Sequence, residues 1–112
     1  MKTFLVVVDP GDYSKMPQHT FLVRARDHNS AYNKFWKKCI HLPGVSQIFE
    51  DVFINRDPQD DQPPYTKDDY RRYSGSDDSV VEYVGKRFGS VIIVVCDLDK
   101  YKNDEVSLVM IN

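Results

Sequence analysis

Cys39 and His41 stand two residues apart, and with His19, His28 and Cys96 they make up every thiol and imidazole that the chain can offer a transition metal. Structural zinc needs four convergent ligands, usually built from paired Cys-x-x-Cys spacing. No such pair occurs in this sequence. The run DLDKYKNDE, residues 97–105, begins like a calcium loop, with Asp97 and Asp99 at the first and third positions. Lys102 replaces the turn glycine and Leu108 falls where the bidentate glutamate should be, so the segment reads as a charged hairpin turn. We expect no metal and no cofactor.

Nucleophilic chemistry has no better support. There is no nucleophile elbow, no Ser-x-x-Lys motif and no glycine loop to cradle phosphate. Acid–base pairs can be drawn between His28, His41 and many aspartates, but no spacing selects one. No residue is therefore assigned as catalytic. An enzyme or ligand-binding domain is the alternative reading. It would use a pocket between the 9–18 and 55–76 loops, with Asp9, Asp12, His28 and Arg71 as the residues to test, since sites concentrate on loops and strand ends.

Arg24, Arg26, Lys34, Lys37 and Lys38, with Tyr32 and Trp36 nearby, are the types that bind nucleic acid by charge and stacking. Trp36, however, falls on an apolar helical stripe, and the sequence pI of about 5.8 is not that of a strongly basic domain. Direct nucleic-acid binding ranks below a protein partner. The densest recognition chemistry lies in PPYTKDDYRRYSGSDD, residues 63–78. Tyrosine and arginine are enriched at interface hot spots because each offers a large contact area with a polar end. The candidate partner-binding residues are Asp60, Asp61, Tyr65, Asp68, Asp69, Tyr70, Arg71, Arg72 and Tyr73. Clustered carboxylates can also occupy the phosphate positions of a basic groove.

The bulk composition sets the frame for these residues. A chain of 112 residues, 41% apolar and with a net charge of −2, has enough buriable surface to fold as one domain spanning residues 1–112. Residues 1–41 carry seven basic and three acidic side chains, while residues 51–78 carry four basic and eight acidic ones. The N-terminal part is thus positive and the centre negative. The short apolar run at residues 4–8, cut by Asp9, Pro10 and Gly11, lacks the h-region of a signal peptide, and no stretch is long enough to span a membrane. The expected location is cytoplasmic. The cysteines sit in apolar patterns and read as reduced core residues.

The elements follow from periodicity. Residues 3–8 are apolar and β-branched, and residues 19–26 alternate Phe21, Val23 and Ala25 against Leu22, Arg24 and Arg26, which predicts a β-hairpin. Strand one lacks polar alternation, so it should be central and covered on both faces, or partly covered by a partner. Ala31, Tyr32, Phe35, Trp36, Cys39 and Ile40 recur at helical spacing after Asp27 or Asn29 as cap, and Pro43 with Gly44 stops that helix. VSQIFEDVFIN satisfies both a helical period and strand composition; we read it as a strand ending near Ile54. Residues 55–76 form a long polar loop. A second helix follows from Asp77 or Asp78 to Gly89, with Val80, Val81, Val84 and Phe88 on one face. SVIIVVCD is a strand buried on both faces, and residues 97–104 turn the chain into a last strand, EVSLVMIN.

The expected class is α+β: an antiparallel-rich sheet of four to five strands, in the order ββα, a further β, the long loop, then αββ, with two helices packed on one face. In size, layout and lack of motifs the chain resembles the short orphan proteins of phages and mobile elements, some of which inhibit host nucleases. That resemblance implies a noncatalytic module presenting the acidic, Tyr/Arg-rich loop to a protein partner, such as a nucleic-acid-binding host protein. The strongly apolar C-terminal strands would also favour a homodimer if an edge or face were left exposed.

Overall fold

The computed structural model describes residues 1–11, 16–54, 66–86 and 91–102. Five strands, β1 (Lys2–Asp9), β2 (His19–Ala25), β3 (Tyr70–Ser74), β4 (Val80–Gly85) and β5 (Ile92–Asp97), form one sheet in the order β2-β1-β5-β4-β3. Every neighbouring pair is antiparallel. The helices are α1 (His28–Lys38), α2 (Pro43–Ile54) and the short α3 (Leu98–Lys102). The α+β class and the antiparallel sheet are as expected.

The period of two along β1 separates the faces. Phe4, Val6 and Val8 are fully buried, and the register places them beside Val95 and Ile93 of β5 and beside Phe21 and Val23 of β2. Against this face pack Ala31, Tyr32 and Phe35 of α1 and Val45, Ile48 and Phe49 of α2. Fully burying one such large apolar side chain contributes about 1.5–3 kcal/mol. Leu5 and Val7 point to the opposite face and are only half-buried. β1 is therefore central in the sheet, between β2 and β5, but covered heavily on one side only. On β5, Ile92 and Val94 are half-buried on that face, while Cys96 beside them is buried.

Helix α1 starts where the sequence places it. The Asp27 carboxylate accepts a hydrogen bond from the Ser30 amide at 2.8 Å, and that amide holds its pKa below the usual carboxylate value. Lys37 and Lys38 close the last turn, where cations complement the helix dipole.

Two segments exchange type relative to the sequence reading. Residues 45–54 belong to helix α2, not to a strand. Pro43 is its first residue, where a missing N–H costs nothing, so the Pro-Gly pair opens a second helix, whereas the first has already ended at Lys38 with Cys39 as its cap. A Cβ at Gly44 would overlap the imidazole of His19, so a larger residue there would require that ring to shift. Conversely, residues 80–85 form strand β4 instead of the second helix, and Asp77 caps a turn: its carboxylate accepts from the Ser79 amide at 3.0 Å and from the Ser79 hydroxyl at 2.7 Å. The 55–76 loop is also interrupted. Lys67–Asp69 forms a 3-10 turn and Tyr70–Ser74 is the outermost strand. Residues 98–102 are helical rather than a hairpin turn, and the predicted strand EVSLVMIN lies outside the described residues.

Candidate functional site

The sequence-selected residues that fall within the described chain meet at one border of the sheet. Asp60, Asp61 and Tyr65 lie outside the described residues. Thr66 and Asp69 close the turn on itself: the Asp69 carboxylate accepts from the Thr66 amide at 3.2 Å and from its hydroxyl at 2.8 Å. Asp68 is exposed beside it. Tyr70 turns inward, only 6% exposed, with its ring centroid 5.5 Å from that of Trp36. It is a core anchor for the strand. Arg71, Arg72 and Tyr73 are exposed, and the pleat divides them: Arg72 shares the side of Tyr70, toward α1, while Arg71 and Tyr73 point to the other face.

β3 pairs with β4 on one side and, among the described residues, with no strand on the other. The Lys86 amide donates to the Asp69 carbonyl at 2.8 Å, and hydrogen-bonded pairs alternate along an antiparallel ladder. With the register Arg71↔Val84 and Tyr73↔Glu82, those two pairs exchange ladder bonds. The N–H and C=O of Arg72 and Ser74 are consequently directed outward, at the free edge.

Beside this edge, on the α1 side, a cleft of about 280 Å³ is lined by Asn29, Asn33, Lys67, Asp68 and Arg72, with Tyr32 and Tyr83 in its wall. The two tyrosine rings are stacked, 3.7 Å apart and 7° from parallel. The Tyr32 hydroxyl donates to the Lys67 carbonyl at 2.7 Å and the Tyr83 hydroxyl to Asn29 Oδ1. Burial raises the pKa of both phenols, so both are donors at neutral pH. The cleft thus has a rigid aromatic wall and a rim of amide, ammonium and guanidinium donors. Sequence reasoning missed Asn29, Asn33 and Tyr83, because nothing in their spacing announces that α1 borders β3.

The other sequence candidates do not converge. Asp9 and Arg71 lie on one row of the sheet, separated by Ile92 and Val84, three strand spacings or about 14 Å apart. The Asp9 carboxylate accepts from the Gly11 amide at 2.9 Å. The His28 ring is bound near the opposite end, with Nε2 2.9 Å from the Ser79 carbonyl and the ring packed at 65° to Phe4. Asp12 lies outside the described residues. Trp36 packs against the core. Lys34 donates to the Arg24 carbonyl on β2, and Arg26, Lys37 and Lys38 are exposed around it. Cys39 sits in the helix layer and Cys96 on the opposite sheet face; neither forms a disulfide, and burial raises the pKa of Cys39. Among the described residues, no three His, Cys, Asp or Glu side chains could hold a metal ion, and no helix is long and apolar enough to cross a membrane.

Comparison with protein-family models, with curated proteins and with solved structures finds no match to this chain.

Proposed function

We propose that the protein is a noncatalytic binding module that takes an extended segment of a protein partner by adding it as a sixth strand alongside β3. The observation that carries this reading is the free edge itself: four of the five β3 residues are exposed, and Arg72 and Ser74 offer outward backbone groups next to a donor-lined cleft. In strand addition the main chain supplies affinity and alternate side chains supply specificity. Every second side chain of the added segment would enter the cleft, where Asn29, Asn33, Lys67 and Arg72 suit acidic or amide groups. The intervening side chains would lie over Arg71 and Tyr73.

The opposite edge is less suited. On β2 the Arg24 carbonyl already accepts from Lys34 Nζ, and the Arg24 guanidinium reaches the Met1 carbonyl. The acidic residues play a smaller part than their number suggests. Asp69 closes its own turn, Asp77 caps Ser79, and Asp78 pairs with Lys100. Among the described residues, Asp68 is the carboxylate that lines the cleft.

Arg72→Pro tests the reading. Proline removes an outward N–H and leaves the Arg71/Val84 and Tyr73/Glu82 ladder bonds in place, the arrangement in which edge strands tolerate it. Affinity capture from lysate of the source cells, with the wild type and a folded Arg72→Pro variant as baits, should show partners held by the first and lost by the second. Equal capture by both would rule out strand addition at β3.

A further inference from the structure

The sheet face opposite α1 and α2 is apolar. The registers align Leu5, Val7, Ile92, Val94, Val80 and Val84 into a continuous band across β1, β5 and β4, all half-buried. At one end of the band, on β2, Leu22 is 70% exposed. At the other, beside β3, is a cleft of about 340 Å³ lined by residues 73–77 with Val80 and Glu82, so that Ser74, Ser76 and Asp77 add polar groups to its wall. A Cβ at Gly75 would meet nothing within 4 Å, so the cleft floor is open.

The knob and the hole are placed symmetrically. Leu22 shares a row with Leu5, Cys96 and Val80, and Gly75 follows at the next strand position. Leu22 lies two strand spacings, about 10 Å, to one side of β5, and Gly75 lies the same distance to the other. A twofold axis running close to β5 would carry one onto the other. We propose that two copies of this chain pack through this face as a sandwich dimer, with Leu22 of each copy filling the cleft beside Val80 and Gly75 of the other. This is the isologous arrangement a twofold requires, in which residue i meets j and j meets i. Sheets packed face to face keep their strands within about 30° of each other, which lets the two bands superpose. The same axis sets Tyr73 opposite Thr20 of the second copy, and Glu82 opposite Val7.

The area lies at the lower bound for a specific contact. Five strands at about 4.8 Å and three same-face rows at about 6.8 Å give a flat footprint of about 490 Å² per copy. Two copies bury about 980 Å² before side-chain relief is counted, close to the roughly 1,000 Å² of a specific though modest interface. A dimer in exchange with monomer is expected, and its apolar surface would be that of a functional patch.

The test is solution mass by light scattering and sedimentation over a concentration series. The wild type should rise from the 13.1 kDa chain mass toward twice that value. Leu22→Asp, at an exposed position, and Val80→Lys should each remain monomeric. Mixed in equal amounts they should recover a dimer, because one contact becomes Asp–Lys and the other remains Leu–Val. Arg72→Pro should dimerise as the wild type does, which separates this proposal from the β3 edge. A wild type that stays monomeric at every concentration overturns the proposal. So does a dimer unaffected by both substitutions, or a mixture that fails to pair.

Discussion

Tyr32→Phe should loosen the β3 edge while leaving the centre of the sheet intact. The Tyr32 hydroxyl donates to the Lys67 carbonyl at 2.7 Å, tying α1 to the turn that leads into β3, and among the described strands β3 pairs with β4 alone. Phenylalanine keeps the ring stack on Tyr83 and removes only the hydrogen bond. The net contribution of such a bond is about 1 kcal/mol, which is about a fivefold change in an opening equilibrium. The reporter is the Lys86 amide, bonded to the Asp69 carbonyl at 2.8 Å, because it is released only when the β3 end separates from β4. Native-state hydrogen exchange should therefore show Lys86 exchanging about fivefold faster in the variant, with the Val6 and Val95 amides of β1 and β5 unchanged. If Lys86 does not respond, the hydroxyl does not hold the turn. If all amides accelerate by the same factor, β3 opens only with the whole sheet, and the edge is not a separate unit.

Two further outcomes test the packing. Ile48 and Phe49 are both buried because α2 turns both inward, so Ile48→Ala should cost about 2–5 kcal/mol and Phe49→Ala about 3–5 kcal/mol in a denaturant melt; a strand would spare one of the two. Tyr32 and Tyr83 are held neutral by burial, with folded pKa values above the usual 10, so their contribution is complete below about pH 10. It is lost as pH rises toward the folded values, since the unfolded phenols ionise first. The urea midpoint should fall steeply above about pH 10, and a midpoint independent of pH there would contradict the burial of the phenols.

The parts of the fold that were legible in the sequence are those whose pattern has a single physical source. β1, β2, β5 and α1 each bury one regular stripe, and Asp27 caps its helix with the residue type that the task requires. The exchanged segments fail for opposite reasons. In 45–54, Val45, Ile48 and Phe49 show the helical period, but valine and phenylalanine content favoured a strand. In 80–85, Val80, Val81 and Val84 fit a helical face by chance of spacing. Inward Val81 and Tyr83 against outward Val80, Glu82 and Val84 is the alternation that decides it. β3 was illegible because only Tyr70 is buried, so YRRYS carries no period at all. Its Tyr/Arg content was still informative, since it marks the one strand that is both exposed and anchored.

The two open surfaces of the sheet are made differently, and the difference bears on what each can bind. An apolar edge strand would pair with any strand it met, including its own copies, and charged residues on an edge suppress that pairing. Arg71 and Arg72 place such charges on β3, so a segment that adds there must bring acidic or amide side chains to meet them. The edge is selective against self. The broad face carries less charge: valine, leucine and isoleucine run from β1 to β4 around Cys96, with Glu82 between Val80 and Val84, and the protruding Leu22 is matched by a cleft on the same face. Its shape complement is a second copy. On this chemistry the dimer would leave both β3 edges at the rim of the sandwich, one on each side of the twofold, and a partner presenting two extended segments would bind with the gain of a bivalent contact.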